Sequence, residues 1–527
     1  MKFIPVKILK YYQENPLQCI LYAALFFRLI AAFFAKGYPF HDDHFCVIRP
    51  ANNWAQGIPH WIDVDSPPTH SVFYAGINSM FMWVMTELGI IDPMNKVTVI
   101  RVIHAFYSLL IVSLSYKITE IIANRRTAIL VGWILAILWF MPNFSVQFLA
   151  EVVCIPPTLA AFYFLAKDPN RKLRTWLIAG LFFGLAFTVR IHTVFFISGL
   201  GLLLLFQRKW MPAVMMSLGF LTSSFLITGV IDMIFWDFPF QSVFNYFAFH
   251  EENATSVVNG PVYRYLLTVL GFAVPPVSLI LFWSYYRGRK YFLELFVASL
   301  FFFLFHSFFP HKQERFILPF FPFFIIIGIV GWEMIIKNIE WVKNRKRIFN
   351  SFWTFFWIMN ILGASALALT YNRKDRVEPL YYLSSKTDVT SIVLESERSS
   401  PKQPPVYYLG QNVVDYKDFQ NDMLGYRAFR ADQKYLDPDF KFVFSFGSEK
   451  TISQLETEMS EMNKEPNYVI FKGSKGFDQR MERVKKVFPN KVFSFVKEIE
   501  PSNMDKLLHF LNPKRHRNNT ALIYHLE

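Results

Sequence analysis

The sequence predicts an all-α polytopic membrane protein with a C-terminal soluble α/β domain, and three observations carry that prediction. Of its 527 residues, 53% are hydrophobic and 18% charged, against about 25% charged in an ordinary soluble domain. Apolar runs of roughly 17 to 25 residues, the length a bilayer-spanning helix needs, recur as far as Leu369 and then stop. The basic residues behind the net charge of +14 cluster in short segments between those runs. That is the footprint of membrane topology and not of a phosphate-backbone groove. No nucleic-acid partner is expected; membrane lipids are.

About eleven windows fit a transmembrane helix: 17–35, 99–119, 127–141, 144–166, 173–189, 193–206, 211–231, 265–282, 292–309, 316–336 and 348–369. The first follows Lys2, Lys7 and Lys10 but is long, lacks a small-residue cleavage site and holds Arg28, so it reads as a retained span and not a signal peptide. Cytoplasmic loops are rich in Lys and Arg. With the N-terminus inside, the inner segments hold nineteen basic residues, from Lys2 to Arg347, against five (Lys36, Arg49, Lys96, Lys312, Arg315) in the short outer loops. The run 72–91 is left over; a twelfth span there would put Arg125 and Arg126 outside, so it is expected to be re-entrant or to lie in the outer interface.

Residues 1–370 then form the transmembrane domain and 371–527 an extracytoplasmic domain, periplasmic in a bacterial inner membrane or lumenal in an ER membrane. Beyond Leu369 short β-type runs (406–409, 442–446, 468–471, 492–496, 522–525) alternate with polar helical windows, an α/β pattern. The stretch 398–405, with Pro401, Pro404 and Pro405, reads as a loop. Cys19, Cys46 and Cys154 are far apart and fit no metal spacing.

Acidic and imidazole groups gather just outside the first span in His41-Asp42-Asp43-His44, followed by Trp61, Asp63 and Asp65. Three readings compete: a general base that activates a hydroxyl, a polar turn, or a metal site. Adjacent residues on one loop rarely converge on one ion, so no metal is expected. His311-Lys312-Gln313-Glu314-Arg315 lies between two apolar runs. Such charge at the mouth of a bundle meets water, a partner or an anion; Lys as a point charge and Arg as a fork suit a departing phosphate, and a charged lip is the alternative. Arg190 near the outer face suits phosphate as well, while Glu151 and Arg28 read as a structural pair. Asp232, Trp236, Asn245, Asn253, Tyr263 and Tyr265 form an aromatic and amide-rich surface for sugar rings, or an interfacial belt. No Walker loop or dinucleotide fingerprint appears, so no nucleotide cofactor is expected.

These motifs resemble the multi-spanning mannosyltransferases of glycosyltransferase family 22, the group of the GPI mannosyltransferases and the late lumenal α-mannosyltransferases of N-glycan assembly. The matching residues are Phe27-Arg28-Leu29-Ile30, His41-Asp42-Asp43 in the family's His-Pro-Asp-Glu position, Arg101 with His104, and Arg190 in its Arg-Pro position. Asp232 to Phe240, Pro261 to Tyr265, and His311-Lys312-Gln313-Glu314-Arg315-Phe316 with Pro319 complete the series. The match covers about the first 370 residues and is weak beyond, where the family's Cys-His-Ser-Thr-Pro segment is missing.

The resemblance implies a GT-C fold and a transferase that moves a sugar, usually mannose, from a polyprenyl- or dolichyl-phosphate donor to a lipid-linked glycan or glycolipid, with inversion. It implies Asp43 as the base, with His311, Lys312, Arg315 and Arg190 on the lipid phosphate and no cofactor. Asp42 replaces the family's proline and His44 its glutamate, so Asp42 is the alternative base. His41, His44, Trp61, Asp63, Asp232, Trp236 and Tyr263 are expected around the acceptor and sugar. Two alternatives are a related enzyme that moves another sugar, such as aminoarabinose, and a transporter; transporters tend to show internal repeats, and none is seen here.

Overall fold

The computed structural model describes residues 6–58, 72–253, 259–396, 403–410, 413–415, 441–461, 463–514 and 519–527. They fall into two compact units. The first gathers 1–33, 65–74 and 101–369; the second gathers 34–64, 75–100 and 370–527.

The first unit is helical. Among the described residues six helices are long and apolar enough to cross a membrane: Pro16–Phe34, Pro93–Ile122, Ala150–Lys167, Trp210–Trp236, Phe320–Asn338 and Lys346–Ala368. Leu173–Val189, Ile191–Phe206 and Leu293–Phe308 are apolar but shorter. Every predicted window contains helix, and the shortfall from eleven is one of length and continuity. Proline explains two of the interruptions, because it lacks an N–H and disfavours helix in the residue before it. Window 265–282 is two helices, Arg264–Phe272 and Val277–Gly288, bent by 113° around Pro275-Pro276. Window 144–166 is interrupted too: helix stops at Phe144, resumes at Ala150, and has a one-residue break at Cys154 before Ile155–Lys167, whose first turn holds Pro156 and Pro157. The left-over run forms a 16-residue helix, Val72–Glu87.

Close helix packing in lipid needs small residues, since apolar tails supply no hydrophobic drive between helices. Gly180 and Gly184 on Leu173–Val189 and Gly219 on Trp210–Ser224 let these two helices approach in this way. A Cβ on Gly180 would run into the Met216 carbonyl, and one on Gly219 into that of Leu177. Arg28, fully buried in Pro16–Phe34, is not paired with Glu151 as the sequence suggested. Its guanidinium donates to Ser108 Oγ (3.0 Å) and to the carbonyls of Ala136 (3.0 Å) and Ala24 (3.2 Å). A cation bonded to backbone carbonyls, one of them Ala136 at the end of helix Arg125–Ile137, is satisfied without a carboxylate.

The second unit carries a six-stranded sheet: β1 (Ser391–Ser396), β2 (Val413–Asp415), β3 (Lys441–Phe446), β4 (Tyr468–Lys472), β5 (Phe493–Ile499) and β6 (Ala521–Leu526), in the order β2-β3-β1-β4-β6-β5. The first four of that order run parallel; β6 is antiparallel to β4 and to β5. Val393, Phe442, Phe444, Val469 and Phe471 form its core with Leu455 and Val484 of the helices Ile452–Glu461 and Phe477–Val487. Four of the five predicted strands are present. The fifth, 406–409, is a 3-10 turn, Val406–Leu409, set by Pro404 and Pro405 before it. Strand β1 was missed because Ser391, Glu395 and Ser396 make it look like a surface segment, yet all six residues are buried at the centre of the sheet. Most of the predicted loop 398–405 lies outside the described residues.

Candidate active site

In the first unit the site begins where Leu293–Phe308 ends. Lys312 lies beyond that end and returns its ammonium to it, donating to the carbonyls of His306 (2.6 Å), Ser307 (2.9 Å) and Phe309. A cation there complements the negative end of the helix. Burial, with Arg264 nearby, pulls the amine down to about 8. Tyr265 locks the same loop, its hydroxyl donating to the Gln313 carbonyl (3.0 Å) and accepting from the Gln313 N–H (3.2 Å). His311 lies 3.1 Å from the Gln313 amide, with its ring 5.5 Å from that of His250.

The 3-10 turn Glu314–Ile317 then aims Arg315 inward, where it is 3% exposed. Its Nε lies 3.2 Å from Glu151 Oε1, and Arg190, in extended backbone just past Leu173–Val189, approaches the same oxygen at 3.0 Å. Both guanidiniums also flank the Phe316 ring, 5.4 and 5.5 Å from its centre. Two buried cations therefore share one carboxylate. The triplet carries a net positive charge away from bulk water, which is expensive unless an anion completes it. Glu151, paired with Arg28 in the sequence reading, is instead the partner of Arg190 and Arg315; a lone acid in an apolar window was the available signal.

Elsewhere in the same unit, Asp232 is 1% exposed and accepts from the N–H (2.9 Å) and hydroxyl (2.6 Å) of Ser242, closing the start of helix Gln241–Glu252. Trp236 is buried and Tyr263 exposed. Arg101 donates to Gln147 Oε1 (3.0 Å), and His104 meets the Tyr74 hydroxyl (3.3 Å).

In the second unit the acids form a short turn, His41–Asp43, that runs into the wide turn His44–Ile48. Asp43 is 3% exposed and its Oδ2 receives the Phe40 N–H at 3.4 Å, whereas Asp42 is only half-buried. His41 stacks on Phe45. His44, expected to face a sugar, is fully buried between the rings of Tyr38 (4.8 Å) and Tyr408 (5.4 Å). Burial, then Arg49 and Arg376, hold it well below the usual histidine range, so it is neutral. It supports the turn from beneath. Trp61 and Asp63 lie outside the described residues. Among those described, no three His, Cys, Asp or Glu are grouped to hold a metal ion.

A model of the Alg9-like mannosyltransferase family matches residues 19–390. The chain belongs to that family. This Alg9-like protein is thus a glycosyltransferase, and the transporter reading is set aside. Its structure is similar to ArnT from Cupriavidus metallidurans bound to undecaprenyl phosphate, with a TM-score of 0.61 and 13% identity over 97% of this chain and 98% of that one. ArnT in the apo state gives 0.61 and 14%. AglB from Archaeoglobus fulgidus, in complex with an inhibitory peptide and a dolichol-phosphate, is more distant at 0.48 and 11%, over 90% of this chain and 71% of that one. No curated protein sequence matches. The likeness to ArnT identifies a GT-C fold spanning both the helical region and the C-terminal sheet domain, in a multi-pass membrane protein.

Proposed function

We propose that the protein transfers mannose from a polyprenyl- or dolichyl-phosphate donor to a hydroxyl of a lipid-linked glycan or glycolipid on the outer face of its membrane, with inversion. The observation that carries this reading is the buried Arg190–Glu151–Arg315 triplet, whose surplus positive charge suits a phosphate and which lies within the residues that the family model matches. ArnT, whose fold this chain shares, binds undecaprenyl phosphate.

In the proposed reaction Asp43 accepts the proton of the acceptor hydroxyl. The hydroxyl oxygen forms the new bond to the anomeric carbon as the bond from that carbon to the donor phosphate oxygen breaks. The lipid phosphate departs with the electron pair, and Arg190 and Arg315 stabilise the charge it gains. His311 borders the phosphate. Lys312, its three donors occupied by carbonyls, pins the loop and adds its charge at a distance. Asp42, more exposed, is the alternative base. Eleven spans, a cytoplasmic N-terminus and an extracytoplasmic 371–527 domain belong to the same proposal.

The test is to supply radiolabelled polyprenyl-phosphate-mannose to membranes with and without the protein and to identify the labelled lipid. Label that moves only from a donor carrying another sugar would reassign the sugar; no transfer from any lipid-phosphate donor would overturn the proposal.

A further inference from the structure

The outer domain holds a second polar cavity whose residues all lie between Glu395 and Arg483. It is an open cleft of about 440 Å³, lined by Glu395 and Ser396 at the end of β1, Ser448 after β3, and Lys475, Gly476, Gln479, Arg480 and Arg483 around the start of helix Phe477–Val487. Its place in the topology is specific. From the carboxyl end of β1 the chain leaves toward β2 and β3 on one side; from that of its neighbour β4 it leaves through Phe477–Val487 toward β5 on the other. Open α/β sheets bind ligands in the crevice at such a reversal, outside the carboxyl ends of the strands. Its volume falls within the roughly 300 to 1,000 Å³ of small-molecule sites and exceeds what a bare ion fills.

The charge of the lining selects the ligand. Lys475, Arg480 and Arg483 face a single carboxylate, Glu395. The two arginines are fixed in place: Arg480 is held by Glu395 (Nε to Oε2, 2.7 Å) and by the carbonyls of Lys472 (2.8 Å) and Gly473 (2.9 Å). Arg483 is held by the carbonyls of Gly447 (2.8 Å) and Lys450 and lies 3.8 Å over the Phe446 ring. Neither reorganises to receive an anion, so their field is preorganised. Lys475 is exposed at the rim, where its ammonium is available, and the eleven-residue helix beginning at Phe477 adds the positive end of its dipole. Ser396, Ser448 and Gln479 supply hydroxyl and amide partners of the kind sugar hydroxyls use.

We infer that this cavity is a second carbohydrate site, distinct from the transfer site, that binds a phosphorylated sugar with its phosphate toward Lys475 and the start of helix Phe477–Val487. The phosphorylated sugar comes either as part of the acceptor glycan or as a free sugar phosphate, and both present the same chemistry.

The test is titration calorimetry on the full-length protein in detergent micelles with mannose 6-phosphate, mannose and inorganic phosphate. Mannose 6-phosphate is expected to bind at least tenfold more tightly than either fragment. Lys475→Glu, at a rim position outside the transfer machinery, is expected to weaken it tenfold or more while leaving mannosyl transfer to an unphosphorylated acceptor unchanged. Arg190→Gln, which damages the proposed donor site, is expected to leave mannose 6-phosphate binding intact. Equal affinity of mannose 6-phosphate and inorganic phosphate would reduce the cavity to an ion site and overturn the proposal, as would wild-type affinity in Lys475→Glu. Binding lost in Arg190→Gln would place the ligand at the donor site and also overturn it. A Lys475→Glu variant that transfers more slowly only to phosphorylated acceptors identifies the acceptor glycan as the source; unchanged transfer with weakened binding identifies the free sugar phosphate. Failure of any arm leaves the transfer assay with labelled donor standing, since that assay asks only whether the protein moves label from the lipid-phosphate donor.

Discussion

Glu151 is the most informative residue to change. It is 3% exposed and its Oε1 lies 3.0 Å from Arg190 Nη2 and 3.2 Å from Arg315 Nε. Glu151→Gln preserves size and one acceptor oxygen while deleting the charge. Removing one partner of a buried ion pair costs about 3 to 5 kcal/mol, because the remaining charge is left uncompensated, and here two guanidiniums are left facing each other. The variant is therefore expected to unfold more easily by about 3 kcal/mol or more. Transfer should slow by roughly one to two decades, the equivalent of one charge-assisted contact of about 1.5 to 3 kcal/mol. The functional assignment adds a sharper consequence. If the arginines await a phosphate, polyprenyl phosphate restores the missing negative charge and should stabilise Glu151→Gln more than it stabilises the wild type. Thermal unfolding in micelles, with and without polyprenyl phosphate, measures this directly. Combining the change with Arg190→Gln removes one of the repelling cations, so the double variant should be less destabilised than the two singles together. Additivity within about 0.5 kcal/mol, with no extra rescue by the lipid phosphate, would refute the reasoning.

Asp43→Asn should lower transfer by roughly 10² to 10⁴-fold, the usual worth of a general base, with donor binding retained; Asp42→Asn should be far milder, and the reverse order would move the base by one residue. Because the Lys312 amine sits at about 8 in the free protein, kcat/KM for the donor should fall as pH rises through that value, when the positive charge is lost. Lys312→Arg keeps its charge and should push this alkaline limb upward, and an unmoved limb would show that Lys312 does not contribute. Gly180→Val should lower the unfolding midpoint by forcing a side chain against the Met216 carbonyl, with Gly271→Val, where a Cβ meets nothing within 4 Å, as the neutral control. Reporter fusions at Lys10 and Arg171 should read cytoplasmic and one at Glu527 extracytoplasmic; a cytoplasmic Glu527 would invert the topology.

What the sequence revealed and what it hid follow from the range of the interactions involved. Hydropathy sums over a window, so all the helical windows were legible, as were the β runs whose apolar residues are contiguous in the chain. Breaks inside the windows depend on single residues such as Pro275 and Pro276, which a hydropathy sum averages away. Strand β1 was hidden because its Glu395 is matched by Arg480, 85 residues further on, and a charge satisfied at that separation looks solvated when read locally. The same logic separates the two halves of the candidate site. His311 to Arg315 announced itself because five polar residues stand together between apolar runs. Glu151 did not, because its partners lie 39 and 164 positions away and local spacing offered Arg28 as readily. Arg28 needs no acid, since backbone carbonyls and the Ser108 hydroxyl are acceptors enough for one guanidinium. An anion site in a membrane protein is thus read best by asking where buried cations outnumber the acids beside them. Arg190 and Arg315 converge on the single carboxylate of Glu151, and that surplus of positive charge is the strongest physical reason to place a phosphate beside them.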